Sequence, residues 1–445
     1  MSGAFAGDRA VVIGLGVAGA SAARVLAAEG AAVLVSEAGA EQPVAAELRA
    51  TGIEVRTGGH APEHLEEATL VVVSPGVRPR APVMTWAAER GLPVLGEMEL
   101  GARLARVPYL AVTGTNGKTT TTAMLAGCLR AAGIDAVACG NIGNPFPAAA
   151  RGPHEVLVVE VSSFQLAVQS SFHPKMSALL NLAPDHLDWH GSFEAYRDAK
   201  ARVFALQGPG DLHVGNRDDE GAAALSASAS CEVRWFTLGR PGSDEAGYVD
   251  GRLVAGWSGA DLGGPEPETP AIRADAAASA SAAHAYGVPD EAIAAALGAF
   301  VPDHHRGETV AIVRGVRFVD NSKATNPHAT LAAVGEATGV VLIAGGDAKG
   351  IDLTPLGTLA PQLAAVVALG TSAAEVVRVF GERVRARTVG SIEEAVAVAF
   401  EFATPGSTVL LAPACASWDM FRDYAERGDR FAAAARSLHK EDVRT

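Results

Sequence analysis

Short, nearly unbroken apolar runs alternate with longer stretches of helical period along most of this chain. RAVVIGLG predicts a strand and its turn, GASAARVLAAEG a helix closed by a glycine, and AAVLVSE and TLVVVSPG further strands. From about residue 97 the pattern resumes. PYLAVTG predicts a strand, NGKTTTTAMLAGCLRAAG a helix, and HEVLVVEVSS and KMSALLNLAPDH strands with polar ends. FEAYRDAKARVFAL has the period of an amphipathic helix. Residues 235–275, rich in Gly, Pro and acid, read as irregular strands and loops. A third stretch begins near Pro302, where GVRFVD, GVVLIAGG, LAAVVALG and STVLLAPA each read as a strand ending on small or polar residues. Continuous apolar runs suit parallel strands covered on both faces, and strand–helix alternation predicts doubly wound sheets. The expected fold class is α/β in three domains, residues 1–96, 97–301 and 302–445.

Composition narrows the function. The chain of 445 residues carries 36 basic and 50 acidic side chains, a net charge of −14. Non-specific nucleic-acid binding needs clustered Lys and Arg, so no nucleic-acid partner is expected. The four cysteines are scattered without a C-x-x-C, which argues against a disulfide framework or a zinc site. No apolar stretch approaches the roughly 20 residues of a membrane span, and the N-terminus lacks a signal-peptide pattern. A cytoplasmic protein with no membrane span is expected.

The candidate chemistry lies at strand ends, where open parallel sheets bind ligands. LAVTGTNGKTT has the strand–loop–helix context of a phosphate loop. It is shorter than the common G-x-x-x-x-G-K-[ST], because Val112 stands where the first glycine would fall. Gly114, Gly117 and the loop amides can line phosphates, Lys118 can neutralise them, and Thr119 can offer a hydroxyl to Mg²⁺. Gly14, Gly16 and Gly19, followed by Glu37, match a dinucleotide turn. Another nucleotide or plain strand–helix packing explains them as well. Glu160 ends an apolar strand, where a carboxylate needs a partner or a cation such as Mg²⁺. Asp185, His186, Asp188 and His190 share one loop, which favours a histidine near magnesium over zinc. Lys200, by spacing alone, falls on a solvated helix face. Lys323, Thr325, Lys349 and Ser417 would suit a dicarboxylic amino acid.

Taken in order, AVTGTNGKTT, GNIGNP, VVEVSSFQL, NLAPDHLDWH, AYRDAKARVF, HHRGE, NSKATNP, GGDAKG and LAPACASWDMF resemble the Mur ligases over nearly the whole chain. NSKATN and ACAS resemble the branch that adds D-glutamate. The resemblance implies a Rossmann-like N-terminal domain for the UDP-sugar substrate, a central P-loop-type mononucleotide-binding domain for ATP, and a Rossmann-like C-terminal domain for the amino acid. It implies an ATP-dependent ligase of cytoplasmic peptidoglycan precursor synthesis, acting as a monomer. The substrates would be UDP-N-acetylmuramoyl-L-alanine and D-glutamate, joined through an acyl phosphate.

Position by position, Gly114, Thr115, Asn116, Gly117, Lys118, Thr119 and Thr120 would hold ATP, with Arg306 on the γ-phosphate and Asn321 near the ribose. Thr119 and Glu160 would bind one Mg²⁺. His186 and Lys200 would support a second, with Lys200 as a carbamate, so that Lys118, His186 and Lys200 form the catalytic set. Gly14, Leu15, Gly16, Ser74, Pro75, Gly76 and Asn141 would contact the UDP substrate, and Thr325, Lys349, Ser417 and Tyr424 the D-glutamate. Asp275 and Ala278 stand where the family reads adenine with asparagines. A sibling ligase with another substrate, a nucleotide-binding protein without turnover and a dinucleotide oxidoreductase are the rival readings.

Overall fold

The computed structural model describes residues 3–264 and 269–441. The chain divides into two compact units, one of Met1–Leu182, Arg197–Gly263 and Asp275–Gly298, the other of Ala183–Tyr196, Gly264–Ala274 and Ala299–Thr445.

The first unit carries two sheets. β1 (Arg9–Ile13), β2 (Ala32–Ser36), β3 (Glu54–Arg56), β4 (Leu70–Val73) and β5 (Val94–Gly96) form a parallel sheet in the order β3-β2-β1-β4-β5. The order reverses at β1, so the turns after β1 and β4 open a crevice at the strands' carboxyl ends. Val11, Ile13, Val71 and Val73 pack with Val83 and Ala87 of the helix Pro82–Glu89.

The second sheet contains β6 (Tyr109–Thr113), β7 (Ala136–Gly140), β8 (Val156–Glu160), β9 (Met176–Leu179), β10 (Leu212–Asn216), β11 (Glu232–Phe236), β12 (Glu245–Val249), β13 (Arg252–Ala255) and β14 (Asp261–Gly263). Their order is β14-β13-β12-β11-β10-β9-β6-β8-β7. The strands from β7 to β12 pair in parallel, and β12 to β14 form an antiparallel meander. That meander occupies much of the stretch read as irregular, whose residues 265–268 lie outside the described residues. β6 and β8 are all-buried apolar strands in register, with Val112 opposite Glu160. The register sets Glu160 beside the start of the phosphate loop.

The helix Glu97–Leu104 follows β5 and fastens the first sheet to the second. Glu99, wholly buried, accepts hydrogen bonds from the amides of Ser170 and Ser171 at 3.0 Å each and from both serine hydroxyls. Those donors outweigh the penalty of burial and hold its carboxyl down at about 2.

The second unit is built on β15 (Glu308–Val313), β16 (Val316–Asp320), β17 (Val340–Gly345), β18 (Leu363–Leu369), β19 (Arg385–Thr388) and β20 (Thr408–Leu411), in the order β15-β16-β20-β17-β18-β19. β15 and β16 are an antiparallel hairpin, and the other pairs are parallel. The expected α/β class with parallel sheets is what the chain forms. Among the described residues no helix is long and apolar enough to cross a membrane.

Candidate functional site

In the first unit the loop after β6 turns sharply into the helix Lys118–Ala131. Gly117 is the N-cap, at φ 85°, and a Cβ there would lie 2.1 Å from Asp275 Oδ1. Glycine is therefore needed both for conformation and for space. Asn181, just past β9, braces the loop: its carbonyl accepts from Thr115 N at 3.0 Å and its Oδ1 from Asn116 N at 2.8 Å. Lys118 Nζ donates to the carbonyls of Gly114 (2.9 Å) and Thr115 (2.8 Å). Thr119 follows it, half-buried, and Thr120 is buried. Beneath the loop, Asp275 accepts from Thr121 Oγ1 at 3.1 Å, and Ala278 is fully buried in the same helix.

Lys200 overturns the reading of a solvated helix face. It is 1% exposed, and its Nζ donates to Gly114 O at 2.7 Å. Tyr196 and Val203, one helical turn to either side, are buried too. The lysine belongs to the apolar stripe and carries its charge inward to the phosphate loop. Glu160 is 2% exposed. Its Oε1 accepts from Asn141 Nδ2 at 2.7 Å, while Oε2 is buried with no hydrogen-bond partner. A desolvated carboxylate oxygen with no donor suits a divalent cation. Among the described residues no group of three or more His, Cys, Asp or Glu could form an all-protein metal site. The fit is to an ion sharing its ligands between Glu160, a hydroxyl such as that of Thr119, and phosphate.

The first sheet's crevice is a cleft of about 980 Å³ whose walls include Gly14, Leu15, Gly16, Ser74, Pro75 and Gly76, together with Arg78, Arg80 and Trp86. Asn141, expected on the same substrate, is not part of those walls and is instead bonded to Glu160. Glu37 accepts from the amides of Leu15 (2.6 Å) and Gly39 (2.7 Å), so its carboxylate closes the turn.

In the second unit Asp185 is the hub. Its Oδ1 accepts from Lys349 Nζ at 2.7 Å and from His186 N at 2.9 Å, and its Oδ2 from Asn326 Nδ2 at 3.0 Å. Burial alone would raise its carboxyl, but Lys349 and His186 outweigh it and hold the group below the usual range. His186, at φ 53°, turns the chain into the short helix Leu187–His190. Three strand-end turns are knit together here. Asp347 and Ala416 pair through two backbone bonds of 3.0 and 2.8 Å. Arg427, 1% exposed, donates to Ser322 Oγ (3.0 Å), Ser322 O (2.8 Å) and Cys415 O (3.1 Å). The turns carrying Asn321 and Thr325, Lys349, and Ser417 are thus fixed to one another. Lys349 lines a cleft of about 470 Å³ with Asp347, Asp352, Thr371 and Glu375. Thr325, Ser417 and Tyr424 are not among its walls; Tyr424 lies under Lys323 Nζ, 4.9 Å from the ring centre. Arg306 has two buried guanidinium nitrogens, Nε and Nη2, without a hydrogen-bond partner. Asn181, Asn326 and Arg427 were not singled out by the sequence, although each of the asparagines lies in a strand-end motif.

A doubly wound α/β chain with a lysine-bearing phosphate loop defines a nucleotide-binding protein. Three family models match it in succession: the Mur ligase MurD-like N-terminal domain over residues 8–96, the Mur ligase middle domain over 112–251, and the Mur ligase glutamate ligase domain over 305–415. The chain is 46% identical to the UDP-N-acetylmuramoylalanine–D-glutamate ligase of Frankia casuarinae, over 97% of this chain and 95% of that protein. It is 42% identical to the protein of the same name from Streptomyces coelicolor, over 98% and 100%. In fold it is similar to UDP-N-acetylmuramate-alanine ligase MurC of Thermotoga maritima, with a TM-score of 0.64 at 19% identity, covering 97% of this chain and all of that one. The chain belongs to the Mur ligase family.

Proposed function

We propose that this chain is an ATP-dependent amide ligase that adds D-glutamate to UDP-N-acetylmuramoyl-L-alanine, in the cytoplasmic synthesis of peptidoglycan precursors. The observation that carries the phosphate chemistry is the convergence of Lys118 and buried Lys200 on Gly114 O, with the unpartnered Glu160 oxygen on the neighbouring strand. The relatives' names supply the substrates. In this reading residues 1–96 hold the UDP-sugar, 97–301 ATP, and 302–445 the amino acid.

The substrate carboxylate attacks the γ-phosphorus and ADP departs, which converts a poor electrophile into an acyl phosphate. Such transfer depends on positioning and charge neutralisation more than on an acid or base. Gly114 to Thr120 and Arg306 hold the phosphates, and Asn321 approaches the ribose. The glutamate nitrogen then attacks the acyl carbon, phosphate leaves, and the nitrogen loses a proton. Lys349, Thr325, Ser417 and Tyr424 orient the glutamate. Thr119 and Glu160 would hold Mg²⁺, which supplies charge neutralisation at the phosphates. Lys200, as a carbamate, would present oxygen ligands in place of an ammonium, and His186 is assigned to the same ion set. Incubation with ¹³CO₂ should give a carbamate carbon signal that Lys200→Met lacks.

Phosphate release from Mg-ATP is the test. It should require both UDP-N-acetylmuramoyl-L-alanine and D-glutamate. Release with another amino acid, or none with any, would overturn the proposal.

A further inference from the structure

The first sheet's cleft is lined in part by His60, a polar group outside the family motifs. After β3, Gly58 (φ 87°) and Gly59 (φ 143°) turn the chain back, and Gly59 N donates to Glu37 O at 3.1 Å. Few side chains tolerate those angles, so the glycine pair is what carries His60 into the cleft wall. His60 Nδ1 lies 2.8 Å from Ser36 Oγ, and His64 Nδ1 lies 2.8 Å from the same oxygen. Ser36 is 0% exposed, at the carboxyl end of β2.

One hydroxyl has one proton, so it can donate to only one of the two imidazoles. With both rings neutral, the other must donate its own Nδ1–H to the oxygen. Burial, aided by Arg56 and His60, pushes the His64 pKa down, which favours the neutral ring. When Ser36 donates to His60 and His64 donates to Ser36, the His60 proton sits on Nε2. That nitrogen has no hydrogen bond among the described residues. In that arrangement the brace leaves a pre-oriented donor in the cleft wall; in the reverse one, with Ser36 donating to His64, the same nitrogen is an acceptor.

The strand order says which part of a ligand it meets. The glycine turn after β1 and the helix Val17–Ala28 supply the anion end of such a crevice. Ser36 and His60 stand on the β2–β3 side, where folds of this kind keep the nucleoside. We propose that His60 is a specificity-determining contact of the nucleotide substrate, its Nε2–H donating to an acceptor of the nucleoside, with Ser36 and His64 fixing the tautomer. This rests on the reading that the cleft takes a uridine diphosphate sugar.

The test measures binding of uridine, UDP and UDP-N-acetylmuramoyl-L-alanine to wild type, His60→Ala, His60→Gln and Ser36→Ala, with ATP binding and thermal midpoint as controls. His60→Ala should weaken uridine and UDP by the same factor, about 3- to 10-fold, as expected for one hydrogen bond between neutral groups. His60→Gln, which can still present a donor, should recover most of it. In ¹⁵N-histidine spectra of wild type, UDP should fix His60 as the Nε2–H form, and Ser36→Ala should abolish that preference. Unchanged uridine affinity in a folded His60→Ala protein would overturn the inference. So would a loss confined to UDP, which would make His60 a phosphate contact. Wild-type protein that binds none of the three ligands would instead overturn the cleft's assignment, and this contact with it.

Discussion

Glutamine in place of Glu97 should flatten the pH dependence of stability between about pH 5 and pH 9. Glu97 opens the helix that joins the two sheets of the first unit, and it is 2% exposed. Gln165 Nε2 donates to one of its oxygens at 3.2 Å, and the other has no hydrogen-bond partner. Burial raises its carboxyl from an ordinary 4.5 to about 7, against the pull of the Gln165 and Phe146 donors. In this range the folded chain binds more protons than the unfolded one, so stability falls as pH rises. The contribution is complete below 4.5 and lost as pH climbs through about 7. At about 1.4 kcal/mol per pH unit the interval amounts to about 3 kcal/mol. Glu99, with its carboxyl held at about 2, changes only in acid and leaves this window undisturbed. The assay is urea unfolding of wild type and Glu97→Gln, with the difference between the two proteins taken at each pH. Because a chain of several domains need not unfold in one step, the transition of the first unit should be followed through its tryptophans Trp86, Trp235 and Trp257, with Trp189 and Trp418 of the second unit replaced by phenylalanine. The variant should match or trail wild type near pH 5 and exceed it near pH 9. Equal pH slopes in the two proteins would refute the reasoning.

Gly117→Ala should lower ATP affinity at least about 10-fold, because the methyl group meets Asp275 Oδ1 and the backbone must leave φ 85°; calorimetric titration with Mg-ATP checks it. Asp185→Asn keeps the shape of the hub but leaves Lys349 without its counter-charge. It should cost about 3 kcal/mol near neutral pH. The wild-type advantage should fade as pH falls below the ordinary carboxylate value of 3.8, because the folded group is held lower still; urea midpoints across an acid series check it. Arg427→Met should raise the KM for D-glutamate more than that for ATP, since the Ser322 and Cys415 turns lose their common anchor; Arg427→Lys should recover little, having no planar fork. Initial rates of phosphate release separate the two constants.

The sheets were legible because parallel strands covered on both faces are uninterrupted apolar runs, as in LVVV of β4 and VLVVE of β8. The phosphate loop was legible because its glycines, lysine and threonine must be contiguous. The residues 235–275 were not: the strands of the meander are short, and glycines interrupt their alternation. Lys200 could have been placed from spacing, since it falls one turn from Tyr196 and from Val203, but its charge argued for solvent. The Asp185 hub could not. Its partners Asn326 and Lys349 lie 141 and 164 residues away, and no local pattern announces so distant a pairing. Arg427 is likewise hidden among the acids and arginines of YAERGDRF, where helical period alone suggests a solvated face.

Buried charge sorts itself in this molecule by how it is answered. Glu99 is met by five donors, Arg103 among them, Asp185 by a lysine and an asparagine, and Arg427 by three oxygens. Glu97 has too few donors, and it can escape the cost by holding its proton to about pH 7. Arg306 has no such escape. A guanidinium does not shed its proton, and this one has only a loose ion pair, Nε to Asp303 at 3.9 Å, with two buried nitrogens lacking a hydrogen-bond partner. Structural stability is a poor reason to keep such a group, because an apolar side chain would cost less there. An anion that arrives during function is a better one. Glu160 Oε2 argues the same way with the sign reversed, toward a cation beside the phosphate loop. The unpartnered guanidinium nitrogens and the unpartnered carboxylate oxygen each suit an ion of opposite sign, by local chemistry independent of any motif.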